Sequence, residues 1–173
     1  MRIPPGMESG HDDPIAQKVQ TAFTDFYIGA TRFRGDLSIH IKKEGLVPVC
    51  TLLKADPDLD FDYPIHITSV DDLSLEKERF EMVYELFSIR KNRAVRLKTR
   101  VSEDDPTIDS VTSIWKGANF QEREVYDMMG IRFNNHPDLK RILLPDDYSE
   151  GYPLRKDFPV EGKGWRDTFE FLT

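Results

Sequence analysis

The sequence has a single cysteine, Cys50, among its 173 residues. One thiol excludes a disulfide within the chain, and it excludes an iron–sulfur cluster held by the chain's own cysteines, because such clusters need several thiolate ligands. Three motifs are also missing: G-x-G-x-x-G and G-x-x-x-x-G-K-[ST], which bind nucleotides, and G-x-S-x-G, which carries a nucleophilic serine. We therefore expect no redox or nucleotide-binding centre in this chain, and we interpret Cys50 as a buried apolar side chain.

Long hydrophobic runs and an excess of basic residues are missing as well. The longest apolar run, residues 46–53, is interrupted by Pro48 and Thr51, and it falls far short of the roughly 20 residues that a membrane-spanning helix needs. The first residues contain no apolar stretch typical of a signal peptide. Lys and Arg number 24 against 31 Asp and Glu, a net charge of −7, so nucleic acid is not an expected partner. We expect a soluble, intracellular protein.

The residues that are present predict an α+β domain over residues 14–130, preceded by a loose tail over residues 1–13 that has no hydrophobic periodicity. Asp13 and Pro14 suit the cap and the first position of a helix. Pro48 suits the start of a short second helix that reaches Leu53. Apolar residues alternate over 36–42, which predicts a strand with His40 exposed on its polar face.

A second strand is predicted over residues 61–68, where Phe61, Tyr63, Ile65 and Ile67 should share one face and Pro64 indicates a sheet edge. Residues 79–90 and 93–101 also alternate, and their two-residue link predicts a hairpin. Six of the 24 basic residues fall between positions 90 and 100. This basic stripe is either a solvated face or a docking surface for an acidic partner.

A charged helix is predicted from about Phe120 to Met129. Asn119 suits its N-cap, and Glu122 stands three residues later, at the spacing of a capping box. Gly130 suits the helix stop. Glu124, Asp127 and His136 could in principle form a metal site or an acid–base site, but three such residues within 13 positions are common in so charged a chain.

The last region, residues 131–173, combines regularly spaced prolines with many apolar residues. A disordered tail should lack such apolar residues, and a compact domain should lack so long an irregular loop. We therefore predict an extended, partner-binding segment; the alternative is that it wraps its own domain.

The stretch "EREVYDMMGIRFNNHPDLKRIL", followed by "YPLRKDFP", resembles the thirty-kilodalton subunit of the proton-pumping NADH:quinone oxidoreductase, respiratory complex I. The family includes the bacterial C subunit and the chloroplast and cyanobacterial J subunit. The matching positions begin at Glu122 and end at Leu143, and the likeness extends over roughly residues 15–160.

The resemblance implies a small, mostly antiparallel or mixed sheet with flanking helices, and a C-terminal segment that wraps a neighbour. It implies a non-catalytic subunit of the hydrophilic arm, peripheral on the cytoplasmic side of the membrane and held there only through the complex. Its partners would be the hydrogenase-like quinone-site subunit and adjacent iron–sulfur subunits. The chain would bind no cofactor or metal itself, whereas the complex would use NADH, FMN, iron–sulfur clusters and quinone.

Twelve residues are the predicted partner-binding set: Arg123, Glu124, Asp127, His136, Pro137, Lys140, Arg141, Leu143, Leu154, Arg155, Lys156 and Asp157. Whether Arg123, Glu124 and Asp127 form an internal network or interfacial ion pairs stays open at this point. Two other functions also stay open. One is the equivalent subunit of a membrane-bound hydrogenase or another donor:quinone dehydrogenase, and the other is a free-standing metal-dependent enzyme.

Overall fold

The structure, a computed structural model, describes residues 6–161, except for the side chains of residues 75 and 76. In this range the helices are α1 (Pro14–Ala22), α2 (Leu46–Ala55) and α3 (Ala118–Met129). The strands are β1 (Glu8–Ser9), β2 (Tyr27–Phe33), β3 (Asp36–Ile41), β4 (Tyr63–Asp71), β5 (Phe80–Ser88), β6 (Arg93–Val101), β7 (Thr107–Asp109) and β8 (Arg132–Asn134). Short 3-10 turns over Lys43–Gly45 and Leu73–Glu78 precede α2 and β5.

Six strands form one mixed sheet in the order β1-β2-β3-β6-β5-β4. Adjacent strands of this sheet pair antiparallel, except for β3 and β6, which pair parallel. Strands β7 and β8 form a separate parallel pair. The predicted α+β class and its mixed sheet are confirmed, and the β5–β6 hairpin pairs in register from Phe80↔Val101 to Ser88↔Arg93.

The helices bury their apolar residues against one face of this sheet. Val19 of α1, Cys50 of α2 and Val125 of α3 belong to the same buried cluster as Ile39 and Leu97 from the central strands. Alternation places Glu81 and Glu85 of β5 and Arg96, Lys98 and Arg100 of β6 on the opposite face. The interpretation of Cys50 as a core residue is confirmed, since it is fully buried.

The N-terminal prediction is confirmed at the helix cap and needs a correction over residues 8–10, while residues 1–5 of the predicted tail lie outside the described residues. Asp13 caps α1 by accepting the Ile15 N–H at 2.8 Å, as predicted. Residues 8–10 are not loose: Glu8 and Ser9 pair with β2, and the Gly10 N–H donates to the Ala30 carbonyl at 3.0 Å. Backbone hydrogen bonds to a strand edge order this stretch, and such bonds leave no hydrophobic period in the sequence.

Strand β4 lies at the sheet edge, as Pro64 indicated. Its predicted single apolar face is wrong. A bulge between Pro64 and His66 shifts the alternation by one residue, so Ile67 is buried whereas Tyr63 and Ile65 are exposed. A bulge inserts one unpaired residue into the strand and therefore interrupts its two-residue period.

Three of the six residues of the basic stripe, Arg96, Lys98 and Arg100, pair with carboxylates within the sheet. The Arg96 Nε donates to Glu85 at 2.8 Å, while Glu81 lies 2.8 Å from Lys98 and 3.0 Å from Arg100.

His40 lies on the same face of the sheet as these charged residues. The prediction that His40 is exposed is wrong. It is half-buried, its Nε2 lies 3.1 Å from the Thr31 hydroxyl, and burial, followed by the nearby Lys98 charge, lowers its pKa to about 4.

Candidate functional site

Helix α3 begins at Ala118, without the predicted side-chain cap. Its N-cap residue is Gly117, and Asn119 lies inside the first turn. The preceding turn explains the difference, because the N–H groups of Ala118 and Asn119 already donate to the Trp115 and Lys116 carbonyls. Few free N–H groups are left for a capping side chain. The predicted stop at Gly130 is confirmed, with a left-handed φ of 77°.

Glu122 is fully buried rather than part of a capping box. Its carboxylate accepts the Ser110 hydroxyl at 2.6 Å and the Val111 N–H at 2.8 Å. It therefore joins α3 to the end of the β7 segment, not to its own N-terminus. Burial disfavours the charged form and raises the pKa of Glu122 to about 7.

The side chain of His136 is also fully buried, on the same inner side of α3. Its Nδ1 accepts the Asp138 N–H at 3.1 Å, so its Nε2 carries the proton of the neutral ring and donates to the Asn119 carbonyl at 3.3 Å. That Nε2 also lies 3.9 Å from the Glu122 carboxylate. His136 thus holds the loop after β8 against the start of α3.

The outer side of α3 binds the segment 140–144. One carboxylate oxygen of the buried Asp127 accepts the N–H groups of Ile142, Leu143 and Leu144, at 3.0, 2.8 and 2.8 Å. Arg123, one turn earlier, donates to the carbonyls of Lys140 and Arg141 at 3.1 and 2.9 Å. Both side chains therefore bind the backbone of the segment rather than each other.

The end of α3 receives the next part of the chain, residues 152–155. The Leu154 N–H donates to the Met128 carbonyl at 3.2 Å, and the Arg155 Nε donates to the Met129 carbonyl at 2.8 Å. A cation at this end is favourable because the last carbonyls of a helix carry partial negative charge. A Cβ on Gly130 would lie 2.5 Å from the Tyr152 ring, so only glycine permits this approach.

A buried arginine that no sequence pattern singled out, Arg79, fastens the following residues. Its guanidinium donates to both Asp71 oxygens at 2.6 Å, to Glu103 at 2.6 Å and to Asp157 at 2.7 Å. Asp71 also accepts the Lys156 N–H at 2.7 Å. The hydrogen bond from Arg79 is the main cause that lowers the pKa of Asp71 and of Asp157. No local motif links these residues, since the contacting pairs lie up to 85 positions apart.

These contacts bear on the question of whether the C-terminal segment binds a partner or wraps its own domain. The described portion of the predicted partner-binding segment, residues 131–161, packs on its own chain. Arg123, Asp127, His136 and Arg155 make internal contacts, and Arg141 Nη1 lies 3.7 Å from Asp127. Partner binding remains a prediction for the whole set of twelve, whose exposed members are Glu124, Pro137, Lys140, Leu143, Leu154, Lys156 and Asp157.

The three candidate metal ligands lie in different surroundings. Glu124 is exposed, Asp127 binds the 142–144 amides, and His136 faces Glu122. Among residues 6–161, no group of three or more His, Cys, Asp or Glu side chains is placed to hold a metal ion. In the same part of the chain, no helix has the length and apolar character needed to cross a bilayer.

Comparison with known proteins assigns the chain to a family. A family model described as the 30 Kd subunit of respiratory-chain NADH dehydrogenase matches residues 39–164. The C subunit of the NADH-quinone oxidoreductase of Roseiflexus castenholzii is 43% identical over 159 residues, which cover 91% of this chain and 90% of that protein. The corresponding C subunit of Geobacter metallireducens is 42% identical, covering 85% of this chain and 89% of its own length.

Two solved structures share the fold. A trypsin-resistant fragment of Nqo5 superposes with a TM-score of 0.62 and 32% identity, and covers 71% of this chain and 97% of the fragment. A chain of the membrane-bound sulfane sulfur reductase, an archaeal respiratory membrane complex, superposes with a TM-score of 0.71. That likeness covers 84% of both chains at 23% identity, and it shows the fold alone.

Proposed function

This chain belongs to the family of the 30 Kd subunit of respiratory-chain NADH dehydrogenase, and from that premise we propose that it is a non-catalytic, structural subunit of an NADH:quinone oxidoreductase. In this role it sits in the hydrophilic arm, peripheral on the cytoplasmic side of the membrane. It docks to the hydrogenase-like quinone-site subunit and to adjacent iron–sulfur subunits, and it stabilises their arrangement. NADH, FMN, the iron–sulfur clusters and quinone are bound by other subunits.

The observation that carries this proposal is the identity of 43% over 91% of the chain with a protein named as the C subunit of that enzyme. The geometry around α3 supports a structural role. Its buried polar groups, Glu122, Asp127 and His136, are each engaged with the chain's own backbone or hydroxyl groups. Groups used in this way hold a shape, whereas a reacting group must face its substrate.

The runner-up is the equivalent subunit of a membrane-bound hydrogenase or of another donor:quinone dehydrogenase. The fold is shared with a chain of an archaeal respiratory complex whose name specifies a sulfane sulfur reductase. The fold by itself therefore does not specify the electron donor of the complex. The subunits that accompany the chain would specify it.

The test is an affinity purification of the tagged chain from gently solubilised membranes, with mass spectrometry and NADH oxidation measured on the product. We expect a hydrogenase-like subunit, iron–sulfur subunits and NADH-oxidising activity to come with the chain. Recovery of the same subunits with a hydrogenase or sulfur-reducing subunit instead would establish the runner-up. Recovery of the chain alone would refute both.

A further inference from the structure

The exposed surface at α3 combines large apolar side chains with the carboxylate of Glu124, which has no ion-pair partner within residues 6–161. Phe120 is 62% exposed, and Leu143 and Leu154 are 60% and 56% exposed. Glu124 is exposed too, one turn after Phe120 on the same helix. Exposed apolar residues are ordinary when they are scattered singly, but a contiguous group marks an interaction site. Whether these residues lie scattered or side by side around α3 therefore decides whether they form an interaction site.

Hydrogen bonds on one side of α3 bring the apolar residues of the 140–154 region beside the helix. Arg123 lies with its guanidinium carbon 5.8 Å from the centre of the Phe120 ring and binds the carbonyls of residues 140 and 141. Asp127 binds the Leu143 N–H, and the Met128 carbonyl accepts the Leu154 N–H. Leu143 and Leu154 therefore extend the surface that begins at Phe120.

The other side of α3 adjoins the bulge of β4. Gln121 accepts the Ile67 N–H at 2.5 Å, and its amide nitrogen lies 3.5 Å from the Pro64 carbonyl. The bulge residue between them, Ile65, is 43% exposed. We define the α3 surface as the five exposed residues Ile65, Phe120, Glu124, Leu143 and Leu154.

Glu124 is the charged member of the α3 surface, and the helix offers it no cation. Its neighbours three and four positions away are Phe120, Gln121, Asp127 and Met128, none of which is basic. No hydrogen bond or ion pair of Glu124 is seen with any residue between 6 and 161. The nearby Arg123 is engaged with two carbonyls of its own chain. Within the described part of the chain, this exposed carboxylate among apolar residues therefore has no counter-charge.

We propose that the α3 surface is the docking site for a neighbouring subunit whose matching face is apolar and places a lysine or arginine opposite Glu124. This inference rests on the proposed function and names the surface and the chemistry through which it operates. Complementary charge sets the register of two apolar faces and rejects wrong partners.

A second copy of this chain fits the same surface poorly. A symmetric dimer through α3 would bring two Glu124 carboxylates to one interface, with no cation between them. Each copy would also carry a net charge of −7, and like charges oppose association. Charge complementarity therefore favours a different protein with a basic residue at the contact.

The experiment is a competition for the native assembly. Tagged full-length variants are produced beside the untagged native chain, the assembly is purified through another subunit, and mass spectrometry gives the ratio of tagged to untagged chain. The variants are Glu124→Lys, Phe120→Ala and Leu143→Ala. The matched controls are Asp25→Lys and Ile89→Ala, which change an exposed carboxylate and a 64% exposed apolar residue outside the α3 surface.

We expect Glu124→Lys to lower the incorporated ratio by at least about thirtyfold, because the introduced cation would face the partner's cation. Phe120→Ala and Leu143→Ala should each lower it by about tenfold, while both controls match the wild type. Thermal unfolding of each purified variant checks that all are folded. Equal incorporation of Glu124→Lys and Asp25→Lys would overturn the docking site but leave the proposed function intact.

Two other outcomes have separate meanings. If the tagged wild-type chain is itself absent from the assembly, the proposed function fails first and the docking site fails with it. If sedimentation shows that the purified wild-type chain dimerises and that Glu124→Lys is monomeric, the α3 surface binds a second copy, which also overturns the proposal.

Discussion

Glu122 shows how a single buried carboxylate connects the helix of the site to the rest of the core. It accepts the Ser110 hydroxyl and the Val111 N–H and lies 3.9 Å from the His136 ring. The charge of Glu122 also acts on Tyr84 and Cys50. Burial is the main cause that raises the pKa of both groups, and the nearby Glu122 is the second. The Tyr84 hydroxyl has no hydrogen-bond partner among the described residues. The protonation of Glu122 should therefore affect stability.

The first prediction concerns pH and the variant Glu122→Gln. The pKa of Glu122 rises from 4.5 to about 7 on folding, so the folded chain binds the extra proton between these values. The stabilisation is complete below pH 4.5 and is lost as the pH rises through 7, by about 3 kcal/mol. Urea unfolding of both proteins at pH 5 and pH 8 should show this loss in the wild type relative to Glu122→Gln. An equal change in unfolding free energy between pH 5 and pH 8 in the two proteins would contradict this prediction.

His40 supplies the control for that measurement, because its effect has the opposite sign. Its pKa falls from 6.5 to about 4 on folding, mainly through burial. The unfolded chain therefore binds the extra proton, and the stabilisation is present above pH 6.5 and lost as the pH falls to 4. The two groups oppose each other in the wild type, so His40→Asn should change the pH profile in the direction opposite to Glu122→Gln.

At the scale of elements, Arg123 binds the start of the segment 140–144, and one oxygen atom of Asp127 binds the rest of its backbone. Three successive N–H groups converge on that oxygen. A segment without helix or strand hydrogen bonds needs such an acceptor, because its own backbone offers none in reach. The shape of the segment thus follows from a side chain of the helix.

The second prediction is that Asp127→Ala lowers the free energy of unfolding by about 3 kcal/mol, because three backbone N–H groups lose their acceptor and Arg141 loses a nearby carboxylate charge. Asp127→Asn keeps one oxygen acceptor and should cost about 1 kcal/mol. Trypsin cleavage after Lys140 and Arg141 should be faster in the alanine variant, as followed by mass spectrometry. Cleavage at the wild-type rate would show that other contacts hold the segment.

Arg79 is the corresponding anchor for residues 155–158, at the corner where β4, β5 and the β6–β7 loop meet. Asp71 is 1% exposed in its side chain, whereas Asp157 is 57% exposed. The two carboxylates therefore contribute differently. Removing the arginine leaves a buried charge at Asp71, but removing Asp157 costs only a solvent-screened ion pair.

The third prediction follows from this asymmetry. Arg79→Met should lower the free energy of unfolding by about 3–5 kcal/mol, because Asp71 remains buried without its counter-charge. Asp157→Asn should lower it by less than about 1 kcal/mol. Guanidinium chloride unfolding at neutral pH measures both. If both variants lost a similar amount of unfolding free energy, the main contribution of Arg79 would be its contact with Asp157 and not the neutralisation of Asp71.

At the scale of the whole molecule, only the first residues of the described C-terminal segment 131–161, Ile131 and Phe133, belong to the buried core cluster. The buried cluster runs from Ile15 to Phe133, and among the later described residues Leu139 packs against it only in part. Residues 137–161 nevertheless supply the three N–H groups on Asp127 and the Asp157 carboxylate on Arg79. Residues 137–161 are therefore held to the domain mainly by polar contacts, and none of them belongs to the buried cluster itself.

The fourth prediction is that a chain lacking residues 137–173 still folds, with an unfolding free energy lower by a few kcal/mol, and is absent from the purified assembly. Circular dichroism and thermal unfolding measure the first part, and co-purification measures the second. A chain lacking only residues 162–173 is the control for stability, since it keeps all of these contacts. Co-purification of the longer deletion would refute the anchoring role of the segment.

Features whose causes lie within a few positions of the chain were predictable from the sequence. The Asp13 cap binds an amide two residues away, and Gly130 ends α3 through its own backbone conformation. The cap at Asn119 and the single apolar face of β4 were predicted from the same local reasoning and were wrong. A preceding turn had already bonded the first amides of α3, and a bulge had shifted the strand alternation.

The sequence by itself determined the α+β class, the strands of the central hairpin, the family and the absence of an internal disulfide, because hydrophobic period, motif spacing and cysteine number are properties of the chain alone. Only the tertiary structure decided that Glu122 faces the core, that Asp127 binds the 142–144 backbone and that Arg79 joins three carboxylates. Such contacts join residues as far apart as Asp71 and Lys156, 85 positions along the chain. Their partners are selected by packing in three dimensions, which no local pattern records.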